Sequence, residues 1–168
     1  MSSDEGPAPP VPGLRLARFA EPDAGELLVL QRCCWVQEAI ANDTLDIAAL
    51  HEDLDEVRCW ARSWLTLVVR LDHRLVAAVR ARAVGPVWEV GRLMVAPDLA
   101  GRGTGRWLLA TVEALAPTGT TRVALFTGAR SRRNLRMYAT AGYVVDEQAQ
   151  QSTAHVPGTV ALVKTVDA

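Results

Sequence analysis

The chain has 168 residues, 49% of them hydrophobic and 22% charged, which suits one domain around a single core and excludes a disordered or fibrous chain. Eighteen basic against nineteen acidic side chains leave a formal net charge of -1, without the basic excess of a general nucleic-acid binder. No apolar run approaches the ~20 residues that span a bilayer, and Cys33, Cys34 and Cys59 fit neither a disulfide framework nor a zinc spacing, the adjacent Cys33 and Cys34 reading instead as buried, reduced thiols.

Residues 1–13 are acidic at the start and contain four prolines. Lacking a basic segment followed by an apolar one, they read as a flexible tail rather than a secretory leader, and the protein as cytoplasmic. The domain proper then spans residues 14–168. Leu14 to Phe19 alternates as a half-buried strand does. Asp23 and Glu26 have capping-box spacing and open a helix with Leu27, Leu30 and Cys34 on one period, ended by Asn42-Asp43. Asp53 and Glu56 repeat the signal before a helix whose Leu54, Val57, Ala61 and Trp64 share a face. Thr66–Leu71 and Leu75–Val84 form a hairpin about Asp72-His73-Arg74, and Val87–Ala96 is the next strand. A helix from Gly103 to Ala116 turns Leu108, Val112 and Leu115 inward. Arg122–Thr127 is a strand, Ser131 caps a helix that Gly142 stops, and Tyr143–Asp146 and Thr159–Val166 are the last strands.

Between the strand ending near Val95 and the following helix lies Ala100-Gly101-Arg102-Gly103-Thr104-Gly105. Alternating glycines let backbone N–H groups turn toward a ligand, and the positive end of the helix dipole favours an anion, so the loop suits a phosphate or pyrophosphate. It is not a P-loop, because no Gly-Lys-Ser/Thr follows, and its glycine spacing is not the dinucleotide fingerprint.

Leu93-Met94-Val95-Ala96-Pro97 followed by Gly101-Arg102-Gly103-Thr104-Gly105 resembles the acyl-CoA-binding motif of the GNAT superfamily of N-acyltransferases, and Asn134-Leu135-Arg136-Met137-Tyr138 with Ala141-Gly142-Tyr143 resembles that family's later helix and strand. The resemblance implies a layered α/β fold, with a central mixed, mostly antiparallel, twisted sheet of about seven strands flanked by four helices. It implies transfer of an acetyl group from acetyl-CoA, as cosubstrate and without a metal, to a primary amine by direct attack in a ternary complex. The alternative is a CoA-binding sensor module with the same fold and no turnover. A small molecule or a peptide could supply the amine, no nucleic acid or membrane is implied, and a homodimer is left open.

By the same resemblance, the backbone of Leu93, Met94 and Val95 meets pantetheine and the thioester, and Ala100, Gly101, Arg102, Gly103, Thr104, Gly105 and Arg106 hold the pyrophosphate. The family prefers Gln or Arg where this chain has Ala100. Asn134 matches a position that bonds the pantetheine arm, and Tyr138 the proton donor to the leaving thiolate. Glu89, fourteen positions before Gly103, matches a general-base glutamate, an exposed residue paired with an arginine being the other reading, and His155 is a second base candidate. Trp35, Leu45, Asp46 and Trp88 are expected on the acceptor side.

Charge divides along the chain. Glu21 to Cys59 holds ten acids and two arginines, a balance of -8, and Arg92 to Arg136 holds eight arginines and two acids, a balance of +6. The basic half coincides with the cofactor motif, where Arg130, Arg132 and Arg133 are further candidates for CoA phosphates. The acidic half coincides with the two helices that cover the acceptor site in the resembled fold and gives some weight to a cationic acceptor, ordinary solvated helix faces being the other reading.

Overall fold

Alternating and helical apolar periods set the elements of the computed structural model, which describes residues 7–152 and 156–166. The strands are β1 (Leu14–Arg18), β2 (Leu65–Leu71), β3 (Arg74–Val84), β4 (Val87–Val95), β5 (Arg122–Gly128), β6 (Val144–Val145) and β7 (Thr159–Thr165). The helices are α1 (Ala24–Asn42), α2 (Ala48–His51), α3 (Leu54–Ser63), α4 (Thr104–Ala114), α5 (Arg132–Thr140) and α6 (Glu147–Gln150). The sheet runs β1-β2-β3-β4-β5-β7-β6, antiparallel throughout except for the parallel pair β4–β5. The mixed seven-stranded sheet agrees with the sequence reading. There are six helices rather than four because α2 and α6 are single turns, too short to show a period.

Two of the three helix-start readings change. Asp53 does cap α3, accepting from the Asp55 and Glu56 N–H groups while Glu56 accepts from Asp53 N–H. Asp23 makes no such bond to α1. Its carboxylate accepts from Ala20 N–H at 2.9 Å and from Arg70 at 2.8 Å, and Glu26 takes Arg70 at 2.8 Å and Leu75 N–H at 3.0 Å. The charged partner on β2 draws both carboxylates away from the helix end. Ser131 precedes α5 without a side-chain cap, because its hydroxyl turns to Glu38.

Burial on both faces of β3, from Leu75 to Val79, shows where the core lies. α4 packs on β3 and β4 on one face, and α1 packs on the same strands from the other, with α3 against α1 and β2. Leu108 and Val112 are buried as expected, but Leu115, just past the end of α4, is 46% exposed. Cys33 and Cys59 are exposed and Cys34 is half-buried, so only Cys34 approaches the expected buried thiol. Within the described part of the tail, Pro7 accepts a 2.5 Å hydrogen bond from Trp107 Nε1 and Val11 packs on the core. No helix among the described residues is long and apolar enough to cross a membrane.

Candidate active site

β4 and β5 pair only through Val87–Arg122, Trp88–Val123 and Glu89–Ala124. Beyond these residues β5 continues along β7 to Gly128 while β4 stays with β3. The two parallel strands therefore part, opening a crevice at their carboxyl ends, the usual ligand position in such sheets. A bulge deepens it. Ala78 faces Met94 and Arg80 faces Gly91, so Arg92 and Leu93 together oppose Val79, and Arg92 sits in the left-handed region at φ 50°. The backbone of Leu93 to Val95 lines one wall of the crevice.

The glycine loop closes the end of β4. Gly101 and Gly103 have φ of 83° and 86°, which glycine adopts without a side-chain clash. Ala100 N–H closes onto Pro97, and Trp107 N–H onto Gly103. Among the described residues, the six N–H groups between them, Gly101 to Arg106, have no hydrogen-bond partner. Arg102, Arg106, Arg130, Arg132 and Arg133 are exposed and form no ion pair among the described residues. Arg102 and Arg106 belong to the loop itself, and a Cβ on Gly101 would stand 3.6 Å from the Arg133 guanidinium, so a cradle of free N–H groups beside unneutralised arginines fits a polyphosphate.

α5 supplies the opposite wall. A Cβ on Gly105 would stand 3.4 Å from Met137 Sδ and 3.7 Å from Val95 Cγ2, so glycine lets the loop, β4 and α5 converge. Tyr138 follows Met137. It is 6% exposed, its ring stands edge-on to Tyr143 at 5.7 Å, and its hydroxyl makes no hydrogen bond among the described residues. Burial first, and the Glu38 charge second, push its pKa above the ordinary phenol value. The phenol stays protonated at neutral pH.

α1 spans the crevice. Cys34 Sγ donates to Val95 O at 3.3 Å, joining α1 to the end of β4. Glu38 accepts from Asn134 Nδ2 at 2.9 Å and from the Ser131 hydroxyl. Asn42 donates to Ser131 at 3.0 Å and accepts from Arg130 N–H at 2.9 Å. The sequence marks Asn42 only as the end of this helix and gives Glu38 no role. The signal was there: Gln31, Cys34, Glu38 and Asn42 repeat at helical spacing along one stripe of α1, placing polar groups beside its buried face.

On the α1 and α3 side of the sheet, Glu89 faces Arg82 in register and accepts from its Nε at 2.7 Å. Arg92 pairs with Glu52 and lies 5.1 Å from the Trp35 ring centroid. Glu52 also takes Gln31 at 2.8 Å and Trp60 Nε1 at 3.1 Å. Trp35 thus lies on the same side as Glu89. Trp88 does not, since strand alternation turns it to the other face, where it is 5% exposed and donates to Val112 O of α4 at 2.9 Å. Leu45 and Asp46 are exposed on the turn after α1, and His155 lies outside the described residues. The acidic helices hold fewer free charges than their sequence suggests, because Glu21, Asp23, Glu26, Glu52 and Asp55 are all ion-paired with arginine. The weight given to a cationic acceptor falls accordingly. No three His, Cys, Asp or Glu among the described residues could jointly hold a metal.

A profile of the acetyltransferase (GNAT) family matches residues 28–143. The chain belongs to the GNAT acetyltransferase family. Solved structures similar to this acetyltransferase include an acetyltransferase from Streptococcus agalactiae at 16% identity and a TM-score of 0.73, covering 93% of this chain and 100% of that one. The PaiA N-acetyltransferase of Thermoplasma acidophilum, in complex with coenzyme A, matches at 14% identity and 0.66, covering 91% and 99%. The ribosomal-protein-S18-alanine N-acetyltransferase of Escherichia coli matches at 13% and 0.67, covering 92% and 95%. No curated protein matches the sequence significantly. At these identities the structural likeness concerns the fold, and the acyltransferase assignment rests on the family.

Proposed function

We propose that this GNAT acetyltransferase moves an acetyl group from acetyl-CoA to a primary amine by direct attack in a ternary complex. The observation that carries this reading is the parting of β4 and β5 between an N–H cradle and a Tyr138 hydroxyl that both lack hydrogen-bond partners among the described residues. The cradle from Gly101 to Arg106, with Arg130, Arg132 and Arg133, binds the phosphates of the cosubstrate, while Ala100 N–H stays on the Pro97 carbonyl. Leu93, Met94 and Val95 offer backbone groups to the pantetheine arm and thioester, and Asn134 offers its amide. The coenzyme A complex of the Thermoplasma protein supports the cosubstrate class.

In the reaction, the amine nitrogen attacks the thioester carbonyl, a C–N bond forms and the C–S bond breaks. Glu89 accepts the amine proton through water, with Arg82 fixing its carboxylate. Tyr138 gives its proton to the departing thiolate, a task suited to a phenol that burial keeps neutral. Because Asn134 and the Val95 carbonyl are engaged by Glu38 and Cys34, pantetheine exchanges those contacts for its own as it enters. A panel of primary amines, followed by release of the CoA thiol, tests the reading. Release that depends on both amine and acetyl-CoA supports it; CoA binding with no release from any amine makes the protein a sensor module.

A further inference from the structure

Beside Glu89 lies a cation, Arg80, that feels the Glu52 and Glu89 charges but forms no ion pair with either or with any other described residue. Arg80, on β3, faces Gly91 at the bulge of β4, on the same side of the sheet as Arg82 and Glu89. A Cβ on Gly91 would stand 3.4 Å from Arg80 Nε, so glycine makes room for the guanidinium. The Arg80 carbon Cζ lies 4.8 Å from the Trp60 ring centroid and 4.2 Å from that of Trp64, while Arg82 stands 4.2 Å from the same Trp64 ring. Indole rings attract the charge without accepting the in-plane hydrogen bonds of a guanidinium.

Both neighbouring arginines are neutralised, Arg82 by Glu89 and Arg92 by Glu52. Arg80 has no ion pair and no hydrogen bond among the described residues, and its Nε is buried without a partner. Burial first, and then the Arg92 charge, bring its pKa down to about 10, so it is charged at neutral pH. A half-buried charge kept without a partner is costly, and proteins ordinarily pair such groups. Three arginines against two glutamates leave this patch one positive charge in excess, at the strand position beside the proposed base and the opening of the crevice.

We propose that Arg80 is an anion anchor of the acceptor site, so that the amine acetylated here belongs to a molecule carrying a carboxylate. The assignment rests on the N-acetyltransferase reading above and narrows its substrate class. The planar fork of donors pairs with a carboxylate in two parallel hydrogen bonds. Trp60 and Trp64 flank the anchor with apolar surface, excluding water from the pair and strengthening it. No proton or bond is transferred at Arg80, which only binds and positions.

The test separates the anchor from the transferase reading. Calorimetry of the full chain with CoA present compares glutarate with glutaramide, which differ in charge and little in shape. Glutarate is expected to bind at least tenfold more tightly to the wild type. In Arg80→Met, which keeps an apolar stem between the two indoles, the preference is expected to vanish while CoA affinity is unchanged; Arg80→Lys should retain part of it. Equal binding of the two probes, or no glutarate binding at millimolar concentration, overturns the anchor. So does a preference preserved in Arg80→Met. If Arg80→Met does not fold, the wild-type comparison and the lysine variant decide the matter: a reduced preference in a folded Arg80→Lys supports the anchor, whereas an undiminished preference in that variant, or none in the wild type, refutes it. In turnover, an amino acid should outperform its carboxamide through KM. Brisk turnover of both alike sinks the anchor and leaves the transferase standing, whereas a glutarate preference without thiol release from any amine does the reverse.

Discussion

The Tyr138 and Tyr143 rings meet edge to face, yet the loss of their hydroxyl groups has opposite consequences. Tyr143 donates to Glu113 at 2.6 Å, and Glu113 also takes Lys164 at 2.7 Å. Removing that donor in Tyr143→Phe costs a charge-assisted hydrogen bond, worth about 1.5–3 kcal/mol in general. Lys164 still satisfies the carboxylate, so the lower part of that range applies, about 1.5–2 kcal/mol. At about 2–4 °C per kcal/mol for a chain of this size, Tm should fall by roughly 3–8 °C. Tyr138→Phe deletes a hydroxyl that bonds nothing among the described residues, so stability should change by less than about 0.5 kcal/mol. Its turnover should nonetheless fall by roughly ten- to a thousandfold, the range for losing one acid catalyst, with CoA affinity intact. Urea unfolding by far-ultraviolet circular dichroism and CoA-thiol release would measure both effects. A Tyr138→Phe variant that loses more than about 1 kcal/mol while turning over at the full rate, with chemistry shown to be rate-limiting, would refute the reasoning and make Tyr138 a packing residue.

Three further outcomes are expected. Gly103→Val forces a β-branched residue to φ 86° and sets its Cβ 3.4 Å from Pro10; CoA affinity should drop at least about tenfold in a folded protein, and calorimetry showing no change would count against the cradle. Glu89→Gln should slow turnover most at neutral pH and less as the pH rises, because more of the amine then arrives unprotonated; a defect constant across the alkaline range would assign Glu89 to positioning. Burial pushes the Cys34 thiol up to about 12, so at pH 8 it stays protonated, and iodoacetamide should modify exposed Cys33 and Cys59 well before Cys34; equal labelling in a peptide map of the native protein would contradict its placement.

What the sequence determined by itself was whatever depends on neighbours a few positions apart. The alternation of β2 to β4, the helical period of α4, the Asp53–Glu56 cap and the run from Leu93 to Gly105 are all of this kind. So is the turn of Trp88 away from Glu89, which a strict two-residue period on β4 contains, although Trp88 was first placed on the acceptor side. Charge has no such period. Asp23 was drawn from its cap by Arg70, 47 residues away, and Glu38 was bound to Asn134 across 96 residues. Those pairings exist only once the sheet has brought β2 and α5 against α1. The same holds for Arg80. The sequence lists its arginine and two tryptophans as unrelated letters, and only the packing of α3 on the sheet sets that cation against two indole rings without an ion pair among the described residues. Coulombic and hydrogen-bond partners are chosen by distance in space, and spatial distance is what the fold supplies.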